Sequence, residues 1–162
     1  MVLEYKEVYM LLGSNLGDRE MMLQQAIDRI EAEIGEVSAK SSLYETEPWG
    51  NTDQPAFINV AIAVRTTLAA LEVLERALKI EKELGRTRLV RWGSRTIDID
   101  LIFYADETIN IEGKLQIPHP EMQNRRFVLE PLTEIAPNYM HPVFRKNIKE
   151  LLHSLTDNTT VE

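Results

Sequence analysis

The stretch from Phe57 to Val64 constrains this chain more than any other. Ile58, Val60, Ile62 and Val64 alternate with Phe57, Asn59, Ala61 and Ala63. Successive side chains of a strand point to opposite faces, so a period of two commits the segment to a sheet with one strongly aliphatic face. That face must be sealed by other elements. Around it the pattern supplies candidates. Val8 to Leu12 is a short apolar run ended by Gly13-Ser14-Asn15, which reads as a buried strand. Asp18 can cap a helix carrying Met22, Ala26, Ile30 and Ile34 on one side, with Gly35 as its stop. Val37 to Tyr44 reads as a strand, and Thr46 to Pro55 as a loop dense in turn residues. A helix is expected from Leu68 to Leu84, with Leu71, Leu74 and Leu78 as its stripe and Gly85 as its end. Ile97 to Tyr104 and Leu115 to Ile117 follow as strands, then helices over Arg125–Ile135 and Asn147–Leu155. The order β-α-β-β-α-β with a helical tail predicts an α+β sandwich of ferredoxin-like type, with helices on one face of an antiparallel sheet.

Bulk properties narrow the function. At 162 residues, without repeats or a linker, the chain fits a single domain. It has no cysteine, which removes thiolate metal sites, disulfides and cysteine nucleophiles. Its net charge of −8 opposes broad binding to nucleic acid or anionic membranes. The polar, acidic N-terminus is no signal peptide and no run is long enough to span a bilayer, so a cytoplasmic protein is expected. Only His119, His141 and His153 are present, which disfavours zinc. The glycine patterns of P-loop and Rossmann sites, and the Gly-x-Ser-x-Gly hydrolase elbow, are missing.

Chemistry concentrates in one region. Asp98 and Asp100 lie two apart on a strand, on the same face, with Cα atoms roughly 6.5–7 Å apart. Ile97, Ile99, Leu101 and Phe103 are assigned to the opposite face. Paired carboxylates repel unless a cation neutralises them, and Mg²⁺ takes one or two carboxylates together with substrate phosphates. An isolated Asp-x-Asp more often marks a solvated sheet face. Here the preceding segment, 86–95, holds Arg86, Arg88, Arg91 and Arg95 and no acid, which suits phosphate oxygens. Trp92 either stacks on a ring or closes a small core. Glu81, on the helical stripe, either pairs with those arginines or bonds a ligand. Phe57, Asn59, Ala61 and Ala63 share a face that can form a slot for a flat heterocycle or lie under a loop.

The run Arg91-Trp92-Gly93-Ser94-Arg95-Thr96-Ile97-Asp98-Ile99-Asp100-Leu101-Ile102 closely resembles the signature of the 6-hydroxymethyl-7,8-dihydropterin pyrophosphokinase family. So do Gly13-Ser14-Asn15-Leu16-Gly17, Asp53-Gln54-Pro55 with Phe57 and Asn59, Pro118-His119-Pro120, and Asn124-Arg125 with Phe127. The resemblance implies a ferredoxin-like fold and transfer of the β,γ-pyrophosphoryl group of ATP to a pterin hydroxymethyl oxygen, releasing AMP. It implies two Mg²⁺ on Asp98 and Asp100, and Arg86 and Arg95 stabilising the transferring group. Glu81, Arg88, Leu101, Lys114, His119 and Arg125 would line the ATP site. Thr46, Trp49, Phe57, Asn59, Trp92 and Phe127 would hold the pterin. The partners expected are these small molecules, on a monomer or weak homodimer. The loops at 13–17, 47–55 and 85–95 are expected to close over the substrates. A nucleotidyltransferase also joins a Gly-Ser turn to Asp-x-Asp, but Gly13-Ser14 lies far more than a helix and a turn before Asp98.

Overall fold

The computed structural model describes residues 4–15, 18–46, 57–86 and 97–155. At its centre is strand β1 (Lys6–Ser14), whose residues from Val8 onward are buried. It pairs antiparallel with β4 (Phe57–Thr66) on one side and β5 (Asp98–Tyr104) on the other. Beyond β4 lie β2 (Glu36–Lys40) and β3 (Tyr44–Thr46), both antiparallel to it. The strand expected over 37–44 is thus two pieces. Between them Ser41 bonds Ala61 through its backbone N–H (2.8 Å), and its hydroxyl accepts the Ala61 N–H at 2.9 Å. A serine that satisfies the partner strand's amide releases the chain from regular pairing.

Helix α1 (Arg19–Glu33) begins where Asp18 accepts the Met21 N–H at 3.0 Å, one of the amides that a helix start leaves without an internal partner. Gly35 follows it because the backbone passes close to β4: a Cβ there would lie 2.1 Å from the Arg65 carbonyl oxygen. Helix α2 (Ala70–Arg86) runs through Gly85 instead of stopping before it. Its buried stripe is Ala70, Val73, Ala77, Ile80 and Leu84, rotated from the expected leucine row. Leu78 is 51% exposed. Leu74 packs half-buried against the edge of that core, and it and Leu78 border a groove.

The helices are not confined to one face. α1 and α2 seal the face made by Val8, Met10, Leu12, Val60, Ile62 and Val64. Helices α3 (Arg126–Ile135) and α4 (Ile148–His153) lie against Tyr9, Leu11, Ala61, Ala63, Ile102 and Phe103 on the other. Small alanines on β4 let α3 approach closely. A register shift at Tyr9–Met10 pairs Tyr9 with Phe103 and Met10 with Leu101, leaving Ile102 as the additional residue. Such a bulge turns the alternation over. Phe103 therefore joins the α3/α4 face, contrary to the strict period-two assignment, while Ile97, Ile99 and Leu101 remain on the α1/α2 face. The expected strand β7 (Leu115–Ile117) has a partner the pattern did not reveal, β6 (Ile109–Ile111). Gly113, at φ 75°, occupies the turn between them.

Candidate active site

On the α3/α4 face the helices cover one end of the sheet and leave the other free. There the register sets Gly13 of β1 opposite both Asn59 of β4 and Asp98 of β5. Two residues back along β1, Leu11 stands between Ala61 and Asp100. Asp98, Asp100, Asn59 and Phe57 thus share one surface, its carboxylate and amide sides about 10 Å apart across two strand spacings. Gly13 keeps the middle low. A Cβ there would lie 2.8 Å from Asn59 Oδ1 and 3.5 Å from Phe57 Cδ1. The Asn59 side chain, 5% exposed, donates from Nδ2 to the Tyr44 carbonyl at 3.5 Å.

β5 is an edge strand, and its outer amide is met from α2. Glu81 Oε2 accepts the Ile99 N–H at 2.5 Å, between the two aspartates in sequence. This contact ties the helix to the strand that carries the carboxylates.

A groove of about 420 Å³ opens beside them, between α2, β5 and the β6–β7 hairpin. Leu74, Leu78 and Glu81 form its α2 wall, Asp100 and Leu101 its β5 side, and Lys114 and His119 its far side. Leu74, Leu78 and Glu81 follow one another at helical spacing, so they form a row beside the buried stripe. That second apolar row, adjacent to a complete core stripe, was the available signal that α2 faces something besides the core. Asn110, from the unanticipated β6, also lines the groove.

His119 follows a cis Ile117–Pro118 peptide, and its N–H donates to the Ile102 carbonyl at 3.1 Å. Burial pushes its imidazole below the ordinary histidine value, and Arg125 adds to this while Asp100 opposes it. Its buried Nδ1 meets no hydrogen-bond partner among the described residues. A buried polar atom in that state calls for a partner from outside the chain or from water. Arg125 lies over the Phe127 ring, 5.8 Å from its centroid, at the start of α3.

The structure therefore brings together Glu81, Asp98, Asp100, Leu101, Lys114, His119, Phe57 and Asn59, with Arg125 and Phe127 side by side on the neighbouring helix. Arg86 ends α2 and Thr46 ends β3 opposite Phe57, each described by its backbone alone. Trp49, Arg88, Arg91, Trp92 and Arg95 lie outside the described residues, as do most of the three loops expected to close. Among the described residues no cluster of three or more metal-ligating side chains occurs. Two neighbouring carboxylates without a third fit a hard cation that completes its shell with water and substrate phosphates. They do not fit a structural cage. No described helix is long and apolar enough to cross a membrane.

A groove bordered by Glu81, Asp100, Lys114 and His119 thus adjoins the low surface around Gly13, an arrangement that suits small molecules held side by side. Comparison with known proteins makes this specific. The family model for 7,8-dihydro-6-hydroxymethylpterin-pyrophosphokinase matches residues 9–137. The chain is 43% identical over 143 residues to the 2-amino-4-hydroxy-6-hydroxymethyldihydropteridine pyrophosphokinase of Aquifex aeolicus, covering 88% of each chain. It is 48% identical over 129 residues to the Bacillus subtilis protein of the same name, covering 79% of this chain and 77% of that one. Its fold superposes on the wild-type HPPK-DHPS of Plasmodium falciparum with a TM-score of 0.77 at 17% identity, covering 93% of this chain and 44% of that longer one. The chain belongs to the 7,8-dihydro-6-hydroxymethylpterin-pyrophosphokinase family.

Proposed function

We propose that this chain transfers the pyrophosphoryl group of ATP to the hydroxymethyl oxygen of 6-hydroxymethyl-7,8-dihydropterin, releasing AMP, in folate biosynthesis. The observation that carries the assignment to this site is the shared surface: the aspartates and Asn59 face the same way, with Gly13 between Asp98 and Asn59. ATP would lie in the groove against Glu81, Leu101, Lys114, His119 and Arg125, with Arg88 added from the arginine-rich segment. The pterin would lie on Phe57 and Asn59, beside Phe127 and Thr46, with Trp49 and Trp92 completing its surround.

The acceptor hydroxyl attacks the β-phosphorus, the bond from that phosphorus to the α,β-bridging oxygen breaks, and the hydroxyl proton passes to solvent. Little covalent help is needed; alignment and charge neutralisation dominate such transfers. Asp98 and Asp100 by themselves repel a triphosphate, so their position argues for Mg²⁺, two ions in this reading, held by both carboxylates. When bound, the metal neutralises phosphate charge and acidifies the acceptor hydroxyl. Arg86 and Arg95 follow the charge as it moves toward the departing α-phosphate. We place the enzyme in the cytoplasm as a monomer or weak homodimer, acting without nucleic acid or membrane.

Incubation with Mg–ATP and the hydroxymethyl dihydropterin should yield AMP and the pterin diphosphate in equal amounts. Release of inorganic pyrophosphate with a nucleotidylated acceptor would instead make the chain a nucleotidyltransferase.

A further inference from the structure

The pterin slot is walled by elements that are distant in sequence: β4 supplies Phe57 and Asn59, while α3 supplies Phe127. Something must fix α3 relative to the strands at this end of the sheet, where the apolar layer of α3 and α4 stops short. One side chain spans the gap. Glu134, two helical turns after Phe127 and on the same side of α3, reaches the segment leading into β3. Its Oε1 accepts the Tyr44 hydroxyl at 2.7 Å; its Oε2 accepts the Ser42 N–H at 2.9 Å and the Ser42 hydroxyl at 3.1 Å. Both carboxylate oxygens are used, and all three donors come from one stretch of three residues.

Tyr44 then acts on the slot directly. It pairs with Asn59 in the β3–β4 register, and its carbonyl oxygen accepts the Asn59 side-chain amide. With Nδ2 held toward Tyr44, Oδ1 is turned over Gly13, where a Cβ would meet it. The orientation of a carboxamide decides which edge of a heterocycle it can pair with, because its two ends carry opposite hydrogen-bonding character.

We propose that Glu134 is a positioning residue for the pterin: by clamping Ser42 and Tyr44 to α3 it fixes both the Asn59 amide and the distance between the Phe57 and Phe127 walls. It touches neither substrate. The clamp is charge-assisted, and carboxylate acceptors make the stronger hydrogen bonds. Its bond to Tyr44 holds the Glu134 carboxyl below the usual carboxylate range. Burial first, and then Glu134, pushes the Tyr44 hydroxyl up to about 12. Both groups keep the required protonation across the neutral range.

The inference rests on the proposed function, and the experiment separates the two. In the full chain, Glu134→Ala should raise KM for the hydroxymethyl dihydropterin roughly tenfold, the effect expected for losing charge-assisted bonds, while KM for ATP and kcat stay within about twofold. Glu134→Gln keeps one acceptor but presents a donor at the other position, and should fall between. Tyr44→Phe removes a single bond of the clamp, and its effect should not add to that of Glu134→Ala. Pterin affinity measured by tryptophan fluorescence without ATP should weaken in parallel, so the readout does not depend on turnover. If wild type forms no pterin diphosphate, the functional reading fails. If wild type turns over and the Glu134 and Tyr44 variants keep its pterin KM, or raise both KM values alike with a fall in Tm, the positioning role is wrong.

Discussion

The two faces of the sheet are built from the same strands and do opposite work. On the α1/α2 side, Val8, Met10, Leu12, Val60, Ile62 and Val64 are completely buried aliphatic or thioether side chains under two amphipathic helices. On the α3/α4 side the cover is partial, and the free end carries Asp98, Asp100, Asn59 and Phe57 around a glycine. Because alternation assigns neighbouring residues to opposite faces, each functional side chain sits next in sequence to a core residue that anchors it: Asp98 and Asp100 flank Ile99, and Asn59 lies between Ile58 and Val60. A rigid sealed face is what allows the other face to hold neighbouring like charges around a glycine. The face that gives stability and the face that gives chemistry should therefore respond to substitution in separable ways.

The sharpest test sets the two faces against each other. Asp98→Ala and Asp100→Ala should each lower kcat by about 10²–10³-fold at saturating Mg²⁺, equivalent to roughly 3–4 kcal/mol of transition-state stabilisation. Their unfolding free energies should move little, since half-exposed and exposed positions rarely shift stability by more than ~0.5 kcal/mol. Near-normal kcat in both would remove the carboxylates from the mechanism. Ile62→Ala, on the sealed face, should do the reverse. It leaves a cavity under α1 and α2 and should cost about 3 kcal/mol in urea unfolding. The folded fraction should keep its kcat. A large kcat loss there, at temperatures where the variant is fully folded, would show that the faces are not independent.

Much of this division is legible in the amino-acid sequence. The aspartate pair on one strand, the aliphatic strand face and the Asp18 and Asn147 caps all follow from local rules, and each holds. What was hidden depends on information a period cannot carry. The bulge that moves Phe103 to the other face is a property of strand pairing with Tyr9 and Met10. That α3 and α4 cover a separate face is decided by which apolar surface remains after α1 and α2 have docked. On α2 the leucines attract attention because they are large, yet the smaller Val73 and Ala77 are the ones buried. The Glu134 clamp joins positions 92 and 90 residues apart, with no motif to announce it.

A smaller effect probes how empty the open face must be. Gly13→Ala leaves the β1 pairing intact but puts a methyl group 2.8 Å from Asn59 Oδ1. The amide must turn away from its place beside Tyr44. We expect the pterin KM to rise several-fold, about 1 kcal/mol, with little change in ATP affinity. Asn59→Ala should mask this effect, because the amide that the methyl displaces is then absent. Additive losses in the double variant would mean that Gly13 matters for another reason.

A last effect, on stability and not on substrate binding, is expected at the buried His141 beside Phe103. His141 is 3% exposed, edge-on to Phe103 and stacked on Phe144 with ring centroids 4.3 Å apart. Its Nδ1 accepts the N–H groups of Val143 and Phe144, each at 3.1 Å, so the ring must be neutral there to hold this turn. Burial moves its pKa below the ordinary histidine value. A group with a lowered folded-state pKa binds its proton more readily in the unfolded chain, so stability rises with pH across the interval between the two values. The contribution is complete above the unfolded value, roughly 6.5, and is lost as pH falls through the folded one. Wild type should accordingly lose Tm on acidification below that point more steeply than His141→Gln, whose amide oxygen can still accept an N–H but does not titrate. His119 and His153 are common to both chains, so the difference between the two profiles isolates His141. At pH 8 the substitution should cost about 1 kcal/mol, the scale of one buried hydrogen bond, and leave both KM values unchanged. Parallel Tm–pH profiles would mean that the turn does not depend on a neutral ring. A shift in either KM would mean that the covered end of this face is coupled to the open one, so that stability and chemistry could not be separated there.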